Sequence, residues 1–164
     1  MERTRRTRVL AAASVALATA VLAGCSSGFG ATSIKPYAPS DGVLANSGDL
    51  RILNLLVVST GASGVVSTTI ANRGRTADAL TGITSPDGTV DFTGNGRIKG
   101  KNAIRLAAGT TPAATLTGLT KLPGETITLK LEFRRADPLT VRTLVLPASG
   151  SYASLTPPPT AAPE

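Results

Sequence analysis

Histidine and tryptophan are missing from this 164-residue sequence, and methionine and cysteine occur once each, as Met1 and Cys25. Each absence removes a class of chemistry. Histidine is the usual general base near neutral pH. Without it the many serine and threonine hydroxyls have no imidazole to activate them, and a serine–lysine pairing is the nucleophilic arrangement that remains. Histidine, cysteine and methionine are also the ligands that soft and borderline metals prefer, so this chain cannot assemble a site from several of them. One cysteine cannot form a disulfide within the chain. Aromatic residues make up 3% of the sequence, so the core is expected to be built from Leu, Ile and Val, with no obvious aromatic-lined pocket. After Cys25 no segment sustains a helical apolar period over three turns.

Charge is absent from Val9 to Ala23, where only Val, Leu, Ala, Ser and Thr occur. Ahead of this run Arg3, Arg5, Arg6 and Arg8 form a basic head, and behind it stands Leu22-Ala23-Gly24-Cys25. A cationic head, a short apolar run and small residues at a cut site make a secretory signal peptide. The run falls short of the roughly 18 to 20 apolar residues that a membrane-spanning helix needs. Leu22, Ala23, Gly24 and Cys25 resemble the lipobox of bacterial lipoproteins. That resemblance implies cleavage before Cys25, a diacylglycerol on its thiol and attachment to the outer face of the cell membrane.

Removing residues 1–24 leaves 140 residues, about one domain. The leader takes four of the 17 basic residues and one of the 10 acidic ones, leaving 13 against 9, a net charge of +4. Part of the high pI therefore belongs to the leader, and a secreted, tethered protein does not meet nucleic acid. A modest positive surplus suits anionic lipid headgroups or wall polymers, and it is also ordinary for a soluble domain.

Residues 25–46 read as the lipidated N-terminus and a flexible tether, with Ser26-Ser27-Gly28 at its start and Pro36 and Pro39 keeping it extended. A β-sandwich domain is expected over 47–148, and 149–164 reads as a proline-rich, disordered tail. The run from Leu50 to Val58, apolar on both faces apart from Arg51 and Asn54, suits an interior strand covered on both sides. Val66, Thr68 and Ile70 alternate as a second strand. Further strands are read at 80–85, 89–92, 103–106 and 113–119, separated by Ser85-Pro86-Asp87-Gly88, Asn95-Gly96 and other turn signals. Thr126–Phe133 is the cleanest period-two run, with its apolar residues on odd numbers. In the last strand, Leu139 to Leu146, the apolar phase slips at Thr143, which reads as a bulge. The expected fold is all-β, a Greek-key sandwich of seven to nine strands, cupredoxin-like or immunoglobulin-like.

Tyr37-Ala38-Pro39-Ser40-Asp41-Gly42-Val43, Asn54–Val58, Ile70-Ala71-Asn72-Arg73-Gly74, Asp78-Ala79-Leu80, Ser85-Pro86, Leu116-Thr117-Gly118-Leu119 and Thr126–Phe133 follow one another along residues 37–146. As an ordered set they resemble the periplasmic copper-chaperone family of the PCu(A)C type, in its actinobacterial lipoprotein branch of LpqE type. The resemblance implies a cupredoxin-like Greek-key sandwich. It also implies where that family holds Cu(I), with histidine and methionine at the positions matched here by Thr93, Ala113 and Thr115. Threonine and alanine offer Cu(I) no soft donor, so fold and compartment carry over without the metal, and neither copper nor any cofactor is expected.

Three local signals remain. Gly94-Asn95-Gly96 with Gly100 matches neither the dinucleotide nor the P-loop spacing and reads as a glycine turn. Asp87 and Asp91 flank a turn without the rest of a calcium loop. Arg97, Lys99, Lys101 and Arg105 fall on one face if they share an unbroken strand, a candidate contact for anionic lipid or an acidic partner, or simply a solvated face. The reading is of a non-catalytic, lipid-anchored binding or scaffold module at the cell envelope, held to the membrane through Cys25 and serving an envelope protein partner. The alternative is an extracytoplasmic metal-handling protein with a non-standard site or ligands supplied by a partner.

Overall fold

The computed structural model describes residues 41–155. The leader with Leu22, Ala23 and Gly24, the lipidation position Cys25, the tether up to residue 40 and the tail from residue 156 lie outside the described residues.

Among the described residues ten strands form: β1 Val43–Ser47, β2 Leu50–Ser59, β3 Ser63–Asn72, β4 Asp78–Thr84, β5 Thr89–Thr93, β6 Arg97–Ile98, β7 Ala103–Leu106, β8 Ala113–Thr117, β9 Thr126–Phe133 and β10 Leu139–Pro147. They hydrogen-bond in the order β5-β8-β3-β2-β10-β9-β4-β6, with β1 added to β2 and β7 to β3. The path curls because β10 changes partners along its length. Leu139–Leu144 run antiparallel to β9, and Val145–Pro147 run parallel to β2. One layer is therefore β1, β2, β3, β5, β7 and β8, and the other is β4, β6, β9 and β10. The all-β sandwich expected from the strand pattern is the fold observed, with ten strands in place of seven to nine.

The core lies between the layers and is aliphatic apart from Phe133. Leu50, Ile52, Leu55, Val57, Val66, Ile70, Leu106 and Leu116 from one layer meet Leu80, Ile83, Ile127, Leu129, Leu131, Val141 and Val145 from the other. Burying each such side chain contributes about 1.5–3 kcal/mol. On β9 all four odd-numbered apolar residues are buried, as the alternation requires.

Three local readings are corrected. First, β2 is not covered on both faces throughout: Arg51 is exposed and its first half alternates, while Leu55–Ser59 are buried in succession. The change comes at Asn54, whose φ of 51° is left-handed. Leu53 pairs with Thr69 and Leu56 with Ser67, so two residues of β2 oppose Thr68 alone. This bulge re-aims the strand and lets β2 exchange β1 for β10 as its neighbour. Second, no bulge occurs at Thr143, because the β9–β10 register is unbroken from Leu139 to Leu144. Thr143 points inward between Val141 and Val145, and its hydroxyl donates to the Leu55 carbonyl. Thr68 likewise donates to the Leu53 carbonyl at 3.0 Å. An inward threonine hydroxyl served by the β2 bulge resembles a phase slip when read from hydropathy alone. Third, residues 43–46, read as tether, belong to β1, and Gly150–Leu155, read as tail, form a 3₁₀ helix.

Candidate functional site

Four connections meet at one end of the sandwich: Gly48–Asp49, residues 73–77, residues 99–102 and residues 134–138. Asn72, the last residue of β3, holds two of them together. Its amide is buried, and its Nδ2 donates to the carbonyls of Thr76 at 2.8 Å and Ile98 at 3.3 Å. Its Oδ1 accepts the Gly74 N–H at 2.9 Å, and its own N–H donates to the Asn102 carbonyl at 2.8 Å. The Lys101 N–H donates to the Gly74 carbonyl at 3.0 Å, and the Lys101 ammonium to the Arg73 carbonyl. Gly100 is demanded by the close approach, since a Cβ there would lie 2.2 Å from the Arg75 carbonyl oxygen.

Asp78 performs the same service for the β9–β10 connection. Its carboxylate, nearly buried at 8% exposure, accepts the N–H groups of Ala79 at 2.7 Å, Arg135 at 3.0 Å and Ala136 at 3.0 Å. Ser47 adds a 2.6 Å bond to the Asp137 carbonyl.

These polar clamps gather Arg73, Arg75, Lys99, Lys101, Arg134 and Arg135 at one end, all exposed. Among the described residues none of the six makes a salt bridge, the two ion pairs being Lys121–Asp87 and Lys130–Glu132. The exposed acids at this end are Asp49 and Asp137. Two shallow grooves share Asn72 as a wall. One, of about 240 Å³, is lined by Asp49, Thr76, Asp78 and Arg135 among others, and the second, of about 490 Å³, by Arg73, Lys101 and Asn102.

The sequence-derived basic face is redistributed accordingly. Arg97 lies on the two-residue β6, Lys99 and Lys101 on the turn after it, and Arg105 on β7 opposite Thr69. Lys101, with φ 59°, sits in that turn, so no unbroken strand carries all four. Arg105 instead lines a third groove of about 160 Å³ with Asn54, Ser67, Thr68 and Thr69. Sequence reasoning missed Arg73, Arg75, Arg134 and Arg135. Arg73-Gly74-Arg75 and Arg134-Arg135 each follow directly on a strand, which was the available signal.

The clamp makes a prediction. Asn72→Ala should lower stability by about 2–3 kcal/mol, because it strands buried backbone partners, and should speed amide exchange in residues 73–76 and 99–102. Urea unfolding and hydrogen exchange measure both. A midpoint equal to wild type would show that the amide is not the clamp.

The remaining signals resolve into ordinary structure. In the Gly94–Gly96 turn Asn95 Oδ1 accepts the Arg97 N–H at 3.0 Å. Asp87 accepts the Thr128 N–H at 3.3 Å and lies 3.8 Å from Lys121. Among the described residues no lysine is hydrogen-bonded to a serine or threonine hydroxyl. Thr93 pairs with Ala113 and Asp91 with Thr115 across β5 and β8. These four side chains share the outward face, since Ala114 and Leu116 are buried on the other, and they offer two hydroxyls, one carboxylate and a methyl. Among the described residues no group of three or more His, Cys, Asp or Glu is placed to hold a metal ion.

At the opposite end the 3₁₀ helix is tied to the start of the domain, where the Tyr152 hydroxyl donates to Asp41 at 2.6 Å. This bond, with minor burial and repulsion from the same carboxylate, raises the phenol's pKa above its ordinary value.

The sequence profile of the LpqE-like lipoprotein family matches residues 50–145. No curated protein matches the chain significantly. Among solved structures, the copper-bound PCuAC domain from PmoF2 is similar at 17% identity and a TM-score of 0.56, over 64% of this chain and 98% of that one. The apo PCuAC domain from PmoF1 is similar at 17% identity and 0.57, over 63% and 98%. At these identities the likeness is one of fold.

Proposed function

The chain belongs to the LpqE-like lipoprotein family, and from that premise we propose that it is a lipid-anchored, extracytoplasmic, non-catalytic binding module whose basic end takes an anionic partner. The lipoprotein family and the lipobox-like Leu22-Ala23-Gly24-Cys25 support attachment through a lipid on Cys25. Among the described residues no helix is long and apolar enough to cross a membrane. The PCuAC-like fold supports an extracytoplasmic setting.

The donor set does not fit the copper of the PmoF2 domain. At Thr93, Ala113 and Thr115 the oxygens of Thr93, Thr115 and neighbouring Asp91 are hard, whereas Cu(I) favours sulfur and imidazole. Binding at this scaffold therefore rests on charge. The observation that carries the proposal is the convergence of six cations on one end, held there by Asn72 and Asp78.

The mature chain with Cys25→Ser should bind an anionic probe, either acidic vesicles or linear polyphosphate, and salt should weaken the binding. Arg73→Ser, Arg75→Ser, Lys99→Ser and Arg135→Ser together should weaken it by at least about a hundredfold, at roughly 1 kcal/mol per cation near an anionic surface. Their side chains make no hydrogen bond among the described residues, so folding should survive. Equal binding by the quadruple variant would reject the basic end as the contact.

A further inference from the structure

We infer that the groove at the β2 bulge is a second anion site, separate from the six cations, which takes one small oxyanion, a phosphoryl or carboxylate group. Alternation along the strands builds it. On β3, Val66 and Ile70 face the core, so Ser67 and Thr69 fall on the outer face. On β7, Ile104 and Leu106 pack against the same core, which sets Arg105 on that outer face opposite Thr69. The bulge in β2, with Asn54 left-handed at φ 51°, falls where Leu53 pairs with Thr69 and Leu56 with Ser67. Asn54, Ser67, Thr68, Thr69 and Arg105 then line one groove of about 160 Å³. That is below the roughly 300 Å³ at which drug-sized pockets begin, so the occupant is a group of a few heavy atoms.

The donors in this lining are uncommitted. Asn54 Oδ1 accepts the Gly42 N–H at 3.0 Å, which leaves the Nδ2 hydrogens for the groove. The Thr68 hydroxyl is engaged with the Leu53 carbonyl at 3.0 Å. Among the described residues the Ser67 and Thr69 hydroxyls, Asn54 Nδ2 and the Arg105 guanidinium have no hydrogen-bond partner, and Arg105 belongs to neither ion pair. Ser67 is the telling member. It is 8% exposed, and a hydroxyl so far removed from bulk water ordinarily has a partner. No carboxylate lines the groove, so a cation would meet only amide and hydroxyl oxygens there. An oxyanion would meet a forked guanidinium, which binds two oxygens at once, with hydroxyl and amide donors for the rest. Ala71 opposite Ala103, the next outward pair along β3 and β7, already lines the groove at Asn72. The two anion sites are therefore neighbours, two residues or about 7 Å apart along the strands, with different residues in each.

Inorganic phosphate and acetate, each titrated at constant ionic strength into the isotope-labelled mature chain with Cys25→Ser, test the site by NMR, with chloride as the reference. Saturable shifts are expected at the Arg105 Nε–H, the Asn54 side-chain amide and the Ser67 and Thr69 backbone amides. The tighter of the two anions shows whether the ligand carries a phosphoryl group or a carboxylate. Read at the Asn54 and Thr69 signals, Arg105→Gln should weaken binding by at least about tenfold and Ser67→Ala by about threefold or more. The Arg105 side chain makes no hydrogen bond among the described residues, so the fold should survive, and a spectrum unchanged away from the groove checks this. Arg73→Ser, Arg75→Ser, Lys99→Ser and Arg135→Ser together should alter the affinity by no more than about threefold, through screened long-range charge alone. Wild-type affinity in either single variant, or shifts no larger than those with chloride, would overturn the inference. So would loss of the signals in the quadruple variant, which would place the anion at the basic end instead.

Discussion

Cys25→Ala is expected to abolish incorporation of labelled palmitate and to leave the protein as a precursor that still carries residues 1–24. The reasoning is chemical. Lipidation of the lipobox type requires a thiol at the residue after the cut, and Cys25 is the only thiol in the sequence. No second residue can substitute, so the effect is all or none rather than graded. A single acyl chain gives marginal membrane binding, whereas the several chains of a lipoprotein hold firmly, and the wild type should resist extraction by high salt. If the variant matures at its normal size and still takes up label, attachment through Cys25 is wrong.

Asp78→Ala is expected to lower the stability of the domain by about 3 kcal/mol or more. The carboxylate accepts three backbone N–H groups, from Ala79, Arg135 and Ala136, and hydrogen bonds to a charged partner are worth about 1.5–3 kcal/mol each. Water can reach part of the vacated site, which keeps the total below the sum. At the usual scale for a domain of this size the unfolding midpoint falls by roughly 10 °C. Asp78→Asn keeps one acceptor and should recover part of the loss. Stability of the alanine variant within about 0.5 kcal/mol of wild type would mean that the β9–β10 connection is held by other contacts, and the basic end would lose one of its two clamps.

Alternation made most of the fold legible. Thr126–Phe133 shows its buried face plainly because period two survives wherever one face is apolar. What alternation could not show was long-range polar bookkeeping. Thr143 points into the core and its hydroxyl donates to the Leu55 carbonyl within the Asn54 bulge, and no local window contains both residues. β1 was hidden for a similar reason: Val43–Ser47 is short, half exposed and flanked by turn residues, and its partner β2 is what makes it a strand. The candidate site was legible only in part. The basic run read Lys99 and Lys101 onto a strand face, whereas Gly100 turns the chain and sets both on the connection after β6. Arg73, Arg75, Arg134 and Arg135 reach the same end through Asn72 and Asp78, over sequence separations that periodicity does not see. Asn72 and Asp78 both belong to the short segments on which the family resemblance rests, and their clamping roles give those segments a physical meaning.

On the proposed function, this scaffold works through charge and not through copper. The most direct test is a Cu(I) competition, in which the purified mature chain is titrated against a colorimetric Cu(I) chelator under reducing conditions and then dialysed. Binding of Cu(I) needs two or more soft donors at close range. The sequence after Cys25 contains no histidine, methionine or cysteine, and the positions at Thr93, Ala113 and Thr115 supply only oxygens and a methyl. The chelator should keep all of its copper, and no metal should survive dialysis. One equivalent of copper withdrawn from the chelator and retained by the protein would contradict the proposed function.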